Sequence, residues 1–427
     1  MQELPTPDRL PARLFRREDG LTVVCQQVKA TPVVVADVWA RAGTASEPDT
    51  WPGVAHFLEH AIFKGSDRLG PGAFDRAVER RGGSSNAATS HDYAHFFIAT
   101  AAADFADTLP YLSELLLRPA IDDREFDRER LVVLEELRQA RDFPDGVAFD
   151  VLMETAYSKH PYRRPVLGNE TSLLRLSPEN MRCFHSDRYQ PQNLVVAVVG
   201  NIDPERARDR VDECFRHFRD PQPCPAVAIE PEAVPTQIRR RGLSLPRLEG
   251  ARLNLAWVGP GIDRIGDAYA LDVLAVVLAE GRSSQLVRDL REARQWVHDI
   301  GSGFSLQKDS SLLTVSAILE ADFIDAVEQQ ICDRIAQLHA KPISATELDR
   351  AKRLLCNDYA FSTETPSQIA GLYGYYQMLH RAETAVAYPD RIAALTPEDI
   401  QKAARQYLSV DSYAVVAAVS DGDRSFQ

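Results

Sequence analysis

The feature that most limits how this chain can fold is an internal repeat separated by about 219 residues, from residue 177 to residue 396. Three short stretches recur in the same order in the two halves. The recurring pairs are Ser177–Met181 with Thr396–Ile400, Tyr189 with Tyr407, and Val195–Ala197 with Val415–Ala417. A repeat of this length is typical of a duplicated domain rather than of a short solenoid unit. The chain has 427 residues, too many for a single core, so we predict two homologous domains.

A proline-rich segment divides the two repeats. Its prolines are Pro221, Pro223, Pro225, Pro231, Pro235 and Pro246. Because proline interrupts helices and sheets, this segment is the best candidate for a domain linker. We predict an N-terminal domain at residues 10–218, a linker at 219–235 and a C-terminal domain at 236–422. Each half is expected to be an α+β domain with a mostly antiparallel sheet and helices packed on one side.

One stretch of the first half concentrates the chemistry of the chain. Residues 53–66 read Gly-Val-Ala-His-Phe-Leu-Glu-His-Ala-Ile-Phe-Lys-Gly-Ser. On a helix, His56 and His60 are four residues apart and Glu59 is three after His56, so their side chains leave one face. Two imidazoles on one face can hold one metal ion with a carboxylate beside it. The order His-x-x-Glu-His is a signature of zinc sites, and we predict one here.

The residues around this stretch favour a helix. Pro52 suits a first helical turn, and Thr50 or Asp49 can cap it. Gly65 is a natural stop at the C-terminal end. Most of the remaining side chains are apolar, which predicts a largely buried helix. A buried polar cluster needs partners, and a metal ion is one.

A catalytic zinc ion takes three protein ligands and leaves one position open, so a third ligand is needed. The segment Asp123–Asp142 predicts a helix with an apolar stripe. Within this helix, Glu129 and Glu136 are seven residues apart and share a face. Glu135 is rotated away from that face by about 100°. We assign Glu136 as the third ligand.

Three segments carry a resemblance to a known family. They are His56–His60 (His-Phe-Leu-Glu-His), Asn86–Ser90 (Asn-Ala-Ala-Thr-Ser) and Glu129–Glu136 (Glu-Arg-Leu-Val-Val-Leu-Glu-Glu). The chain resembles the pitrilysin and insulysin family of zinc peptidases, in particular short members such as the β subunit of mitochondrial processing peptidase and its bacterial relatives. The resemblance implies that Zn²⁺ is bound by His56, His60 and Glu136. It also implies that Glu59 is the catalytic base.

The same resemblance adds further residues to the site. It implies that Asn86 and Ala87 lie beside the metal, on a sheet edge that binds the peptide substrate as an added strand. Asn86 is equally consistent with a turn, because Asn tolerates left-handed backbone conformations. Glu129 is expected to orient a histidine ligand, a catalytic role exerted by hydrogen bonding. The competing interpretation of Glu129 is an ordinary exposed carboxylate on a helix.

The second half of the chain lacks this chemistry. At the spacing of the repeat, the positions equivalent to the ligands and the base hold Ala275, Leu278, Ala279, and either Leu355 or Cys356. The second domain can therefore pack but cannot bind zinc. The resemblance implies that the two halves form half of a clam-like chamber, which a second chain of similar shape completes.

The resemblance also bears on partners. Family members that act alone supply an arginine and a tyrosine from the second domain, near the strand equivalent to Ser311–Leu319. This chain has no arginine between Asp299 and Asp322, and Phe323 stands where the tyrosine is expected. We therefore expect a dimer, either a homodimer or a heterodimer with a homologue that lacks the zinc motif.

Composition narrows the classes of function. A net charge of −13 disfavours binding to nucleic acid or to anionic membranes. The six cysteines are scattered without a Cys-x-x-Cys pair, which predicts neither a disulfide framework nor a thiolate zinc site. Residues 1–20 lack the apolar segment of a signal peptide, and no run of residues reaches transmembrane length. We expect a soluble, cytoplasmic protein.

Two functions remain open on the sequence. The first is a zinc-dependent endopeptidase that hydrolyses peptides or unfolded segments, in processing or in peptide clearance. The second is a non-catalytic structural or assembly subunit of the same family, which the complete set of ligands disfavours.

Overall fold

The structure is a computed structural model of the chain. It describes residues 1–4, 10–227, 229–230, 232, 235–246 and 248–421. Residues 228, 231, 233 and 234 of the predicted linker, and residue 422 at the end of the predicted second domain, lie outside the described residues. The described part of 219–235 contains no helix or strand.

Two β-sheets organise the chain. In the described residues the strands are β1 (Gln2–Leu4), β2 (Arg13–Arg16), β3 (Thr22–Gln27), β4 (Val33–Ala40), β5 (Ser84–Thr89), β6 (Ala94–Ala101), β7 (Leu194–Gly200), β8 (Arg239–Leu245), β9 (Ala251–Pro260), β10 (Val297–Leu306), β11 (Ser310–Leu319) and β12 (Ala414–Ser420). The first sheet has the order β1-β2-β3-β7-β4-β6-β5, and the second has the order β10-β11-β9-β12-β8. Neighbouring strands are antiparallel except in the pairs β3 with β7 and β8 with β12.

Helices cover these sheets. Their bounds are α1 (Val54–Ile62), α2 (Ala73–Glu79), α3 (Phe105–Leu117), α4 (Asp123–Arg141), α5 (Pro144–Ala156), α6 (Glu170–Arg175), α7 (Pro178–Arg188), α8 (Pro204–Cys214), α9 (Ile265–Ala279), α10 (Ile324–Ala340), α11 (Ala345–Phe361), α12 (Pro366–Leu379), α13 (Glu383–Ala394) and α14 (Pro397–Tyr407). The predicted α+β class with mostly antiparallel sheets is therefore confirmed. Within the described residues, every helix is too short or too polar to cross a membrane.

The two sheets share one topology. Each contains a parallel pair followed by three strands in matching order, β3-β7-β4-β6-β5 in the first sheet and β8-β12-β9-β11-β10 in the second. The repeated sequence also has the same local role in both halves. Ser177 caps α7 and Thr396 caps α14, each in a reciprocal hydrogen-bonded box with the residue three positions later. This agreement supports the duplication that the sequence predicts.

Each sheet also carries one helix that comes from the other half of the chain. The α12 helix packs on β4 and β7 of the first sheet, and the α5 helix packs on β8, β9 and β12 of the second. All residues of β7 are buried, so both of its faces need a cover. The other helices of the main cores agree with the prediction of helices on one side of each sheet. The prediction did not include α12 and α5.

The chain forms two compact units. The first comprises Met1–Arg138, Arg164–Ile229 and Phe361–Ala387, and the second comprises Gln139–Arg163, Glu230–Ala360 and Tyr388–Gln427. Each unit therefore includes an exchanged segment, which contains α12 or α5. The contiguous division into 10–218, 219–235 and 236–422 stays a prediction, and it does not include this exchange.

The main core of the first unit fixes the α1 helix. This core is built from the inward side chains of the first sheet and from apolar side chains of α1, α3, α4 and α7. The α1 helix contributes Val54, Ala55, Phe57, Leu58, Ala61 and Ile62. With so many of its side chains buried, α1 has little freedom to rotate, and the direction of its polar face is determined.

One pair of cysteines departs from the sequence expectation. Cys183 of α7 forms a disulfide with Cys224, and their Cα atoms are 5.9 Å apart. The free cysteines in the described residues are Cys25, Cys214, Cys332 and Cys356. No local pattern indicates the bonded pair, because 41 residues separate its members.

Candidate metal centre

A buried carboxyl group determines where α1 begins. The two oxygens of Glu47 lie 3.0 and 3.1 Å from the N–H of Gly53, and Oε1 also accepts a hydrogen bond of 2.8 Å from the N–H of Ala55. Gly53 has a φ of 90°, a left-handed conformation that favours glycine. The predicted cap by Thr50 or Asp49 is therefore wrong. Instead, the carboxyl group of Glu47 accepts hydrogen bonds from N–H groups at the start of α1 that have no partner within the helix.

Glu47 predicts a pH dependence of stability. Burial raises the pKa of Glu47 to about 8, although the N–H groups of Ala55 and Gly53 and the charge of Arg164 lower it. The folded protein therefore keeps this proton to a higher pH than the unfolded chain does. Its stabilising effect is complete below the ordinary carboxyl pKa and is lost as the pH rises through about 8. The contribution of Glu47 to the free energy of unfolding should fall by about 1.4 kcal/mol per pH unit between these limits.

The variant Glu47→Gln isolates this contribution, because its amide does not titrate. Denaturant titrations of the wild type and the variant, each at pH 5, 6.5 and 8 with a chelator present, would give the difference in unfolding free energy. We expect this difference to move in favour of the variant as the pH rises. A difference that stays constant from pH 5 to pH 8 would contradict the prediction.

The three predicted ligands lie together. Nε2 of His56 is 3.6 Å from Oε1 of Glu136, and Nε2 of His60 is 3.2 Å from Oε2 of the same carboxylate. One donor atom from each residue lies within 4.8 Å of the other two. Across the part of the chain that the structure describes, this is the sole group of three or more His, Cys, Asp or Glu side chains that could hold a metal ion.

The geometry of these donors fits zinc. In a tetrahedral zinc site the bonds are about 2.0–2.2 Å long, which places neighbouring donor atoms about 3.4 Å apart. The two distances to Glu136 lie on either side of this value. Burial, and then the neighbouring His60, lower the pKa of His56 to about 4, so this imidazole is neutral at pH 7 and can donate a lone pair.

The protonation of His60 also indicates that a metal ion can bind here. Nδ1 of His60 is 2.9 Å from Oε1 of Glu129, so this nitrogen carries a proton. Its Nε2 then faces an oxygen of Glu136 at 3.2 Å, a contact that needs a proton or a metal ion between the two atoms. Burial lowers the pKa of His60, but Glu129 and Glu136 outweigh it and raise this pKa above the ordinary value. A metal ion can therefore replace one proton here.

Glu129 lies behind His60 in an ion pair in which Glu129 is buried and Lys64 is 38% exposed. Its Oε2 is 2.9 Å from Nζ of Lys64, and its Oε1 accepts from His60. Glu129 is 5% exposed, which contradicts the interpretation as an ordinary exposed carboxylate. Burial raises the pKa of Glu129, but the hydrogen bonds from His60 and Lys64 outweigh burial and lower it below the ordinary value. The contact with Nδ1 of His60 is the one that the predicted orienting role requires, and the role itself stays a prediction.

Glu59 lies on the same helix face as the histidines and outside the group of three ligands. Thr89 of β5 donates a 2.6 Å hydrogen bond from Oγ1 to Oε2 of Glu59, which leaves Oε1 to accept a proton. Burial raises the pKa of Glu59 above its ordinary value, against the hydrogen bond from Thr89. A carboxylate of raised pKa beside a metal site suits a general base.

The β5 strand is the edge of the first sheet nearest to this group. It is the last strand in the order and pairs with β6 on one side. Its side chains alternate, so Ala87 packs on the core while Asn86 is exposed. The N–H of Ala87 donates to Oδ1 of Asn86 at 2.9 Å. Asn86 thus lies in a strand rather than a turn, and the contact of β5 with Glu59 comes from Thr89.

Comparison with protein families gives two adjacent matches. Residues 22–170 match the family described as Insulinase (Peptidase family M16). Residues 175–355 match the family described as Peptidase M16 inactive domain. All three predicted ligands and Glu59 lie within the first match.

Comparison with individual proteins agrees. The chain is similar to the zinc protease PqqE of Helicobacter pylori, with 29% identity over 405 residues that cover 91% of this chain and 88% of that protein. It is also similar to the probable mitochondrial-processing peptidase subunit beta of Arabidopsis thaliana, with 26% identity over 425 residues, 95% of this chain and 78% of that one. A crystal structure of a protease from Helicobacter pylori matches with a TM-score of 0.89 and 27% identity, over 95% of this chain and 99% of the other.

Proposed function

We propose that this chain, which belongs to the M16 (insulinase) family of peptidases, is a zinc-dependent endopeptidase that hydrolyses peptides or unfolded segments of proteins. The observation that carries the proposal is the convergence of His56, His60 and Glu136, with Glu59 on the same helix face. A subunit without activity would have no need of both a complete ligand set and a carboxylate of raised pKa beside it.

The proposed mechanism divides the work among these side chains. His56, His60 and Glu136 would hold the zinc ion, which when bound lowers the pKa of water and polarises a carbonyl group. Glu59 takes a proton from the attacking water at Oε1 and passes it to the leaving amine. The hydrogen bond from Thr89 keeps the Glu59 carboxylate in one orientation.

We propose that an extended peptide adds to the free edge of β5. Main-chain hydrogen bonds at a sheet edge hold a peptide with little regard for its side chains. In this arrangement Ala87 binds through the backbone, with its N–H exchanging its partner, Oδ1 of Asn86, for a substrate carbonyl, and Asn86 lies beside the substrate. The hydrogen bond between Thr89 and Glu59 then brings the substrate strand beside the general base.

Val132 predicts a preference among substrates. It lies three residues after Glu129 and four before Glu136, so it flanks the metal face of α4, and it is 50% exposed. Val132→Phe should reduce kcat/KM for peptides with large side chains next to the cleaved bond by about tenfold relative to peptides with small ones. Competition between two such quenched fluorescent peptides measures this ratio.

Leu131 supplies the matched control for this prediction. It is one residue earlier, 68% exposed, and rotated by about 100° from Val132 around the helix. Leu131→Phe adds a similar ring on a different side of α4 and should leave the ratio unchanged. An equal shift in both variants would mean that the change does not act at the metal face.

The partner and the compartment are further parts of the proposal. The absence of arginine between Asp299 and Asp322 supports a requirement for a second chain, as a homodimer or as a heterodimer with a homologue that lacks the zinc motif. We propose a cytoplasmic location on the basis of the overall composition, although the disulfide between Cys183 and Cys224 is more typical of an oxidising compartment. The alternative function is a non-catalytic assembly subunit; the similarity of residues 175–355 to an inactive domain is expected of both functions, because all the predicted ligands lie in residues 22–170.

One experiment separates these possibilities. The purified chain would be tested for its mass in solution, for its zinc content, and for cleavage of a quenched fluorescent peptide library. A zinc-loaded dimer that cleaves peptides is the expected result. Zinc-loaded protein that cleaves nothing, alone or with a homologous partner, would favour the assembly subunit, and protein that takes up no zinc would overturn the proposal.

A further inference from the structure

Lys64 makes a contact with the metal centre that the mechanism above does not use. It lies two residues beyond the end of α1, and its Nζ is 2.9 Å from Oε2 of Glu129. The other oxygen of Glu129 is 2.9 Å from Nδ1 of His60. One carboxylate from α4 therefore joins His60 on α1 to Lys64 in the turn that follows this helix.

The two contacts together determine how Glu129 is oriented. A carboxylate with one partner can rotate about its terminal bond, whereas a carboxylate with a different donor on each oxygen has a defined plane. Glu129 is 5% exposed, so with Lys64 in place its oxygens rely on protein donors rather than on water. Loss of Lys64 would leave Oε2 with an unmet hydrogen bond and a negative charge without its neighbouring cation.

We propose that Lys64 is a positioning residue of the metal centre, which holds Glu129 so that Glu129 accepts the Nδ1 proton of His60 and His60 presents Nε2 to the metal. The inference rests on the proposed zinc function. Within the described ion pairs, Glu129 has two partners, Lys64 and His60. Because His60 is the proposed ligand, Lys64 is the partner that can hold Glu129 in place behind it.

This pair differs from the many ion pairs at the surface of the chain. An exposed Lys–Glu pair contributes little, because water screens it and both side chains lose conformational freedom. Here the Glu129 side chain is 7% exposed and its second oxygen is bonded to a metal ligand. A change at Lys64 is therefore transmitted to His60 through a single intermediate side chain.

The test measures zinc affinity rather than hydrolysis. Zinc would be titrated into metal-free protein in competition with a chromophoric chelator, for the wild type, Lys64→Met, Lys64→Arg, Glu129→Gln and the double variant. Removal of a partner behind a metal ligand typically weakens binding 10- to 100-fold, and we expect about tenfold for Lys64→Met. Lys64→Arg keeps the charge and the donors and should stay near the wild type. Lys29→Met, an exposed lysine between β3 and β4, is the matched control.

The double variant distinguishes positioning from a general structural effect. If Lys64 acts through Glu129, then Lys64→Met should cause no further loss of zinc affinity when Glu129 is already Gln. Unchanged affinity in Lys64→Met, or losses that multiply in the double variant, would overturn the inference. Wild-type protein that binds zinc and cleaves no peptide would refute the proposed function while leaving this inference intact.

Discussion

Replacing Glu59 with Gln is expected to lower the kcat of peptide hydrolysis by about 10²- to 10⁴-fold, the contribution typical of a positioned general base. Gln has nearly the same shape and can still accept the hydrogen bond that Thr89 donates to position 59. It cannot take a proton from water at neutral pH. Because Glu59 is not one of the three ligands, the variant should bind one zinc ion as tightly as the wild type does.

The measurement needs both quantities on the same preparation. Steady-state kinetics with a quenched fluorescent peptide gives kcat, and elemental analysis gives the zinc content. Glu79→Gln, at an exposed carboxylate at the end of α2, controls for the loss of one negative charge. Hydrolysis within tenfold of the wild type in zinc-loaded Glu59→Gln would exclude Glu59 as the base. Loss of zinc from this variant would instead identify Glu59 as a ligand.

Relations between neighbours in the sequence account for most of what could be predicted of the site. His56, Glu59 and His60 share a face because a helix has 3.6 residues per turn. Glu129 and Glu136 share a face for the same reason, two turns apart on α4. Such relations depend on local geometry alone, so a single sequence contains enough information to find them.

The contacts of the site that the sequence did not predict depend on how separate segments of the chain fold against one another. No helix or strand rule connects Glu47 with the first turn of α1, because the segment between them is irregular, and Thr89 meets Glu59 only when β5 packs beside α1. Helix periodicity did not indicate Lys64, because this residue follows His60 by four positions but lies in the turn beyond the end of α1. Its partner Glu129 could not be inferred in this way, because the ion pair depends on how α1 and α4 pack.

In the fold, as in the site, local patterns could be predicted from the sequence and contacts between separate segments could not. The apolar runs of β4 and β7 and the capping residues Ser177 and Thr396 are local signals that agree with the elements found there. The exchange of α5 and α12 did not follow from the sequence, because an apolar helix face indicates burial without indicating which sheet buries it. Gly374 illustrates the point: it packs against Trp39 of β4, where a Cβ atom would collide with the indole ring.

Replacing Glu136 with Gln should have a different effect, because it removes a ligand rather than the base. An amide oxygen is neutral and a weaker zinc ligand than a carboxylate, and the change also removes the negative charge next to both histidines. Zinc affinity should fall by more than about 100-fold, beyond the loss caused by removing a partner behind a ligand. Peptide hydrolysis should fall to the level of chelator-treated wild type.

Glu135→Gln gives the matched control for this change. Glu135 is the adjacent residue on α4, its side chain is 57% exposed, and it pairs with Arg138 rather than with the histidines. It should keep both zinc and activity. Excess zinc should restore part of the hydrolysis in Glu136→Gln and none in Glu59→Gln, because added metal can compensate for weak binding but not for a missing proton acceptor. Full activity in zinc-free Glu136→Gln would mean that hydrolysis does not depend on this metal centre, and the three converging side chains would then need a structural explanation.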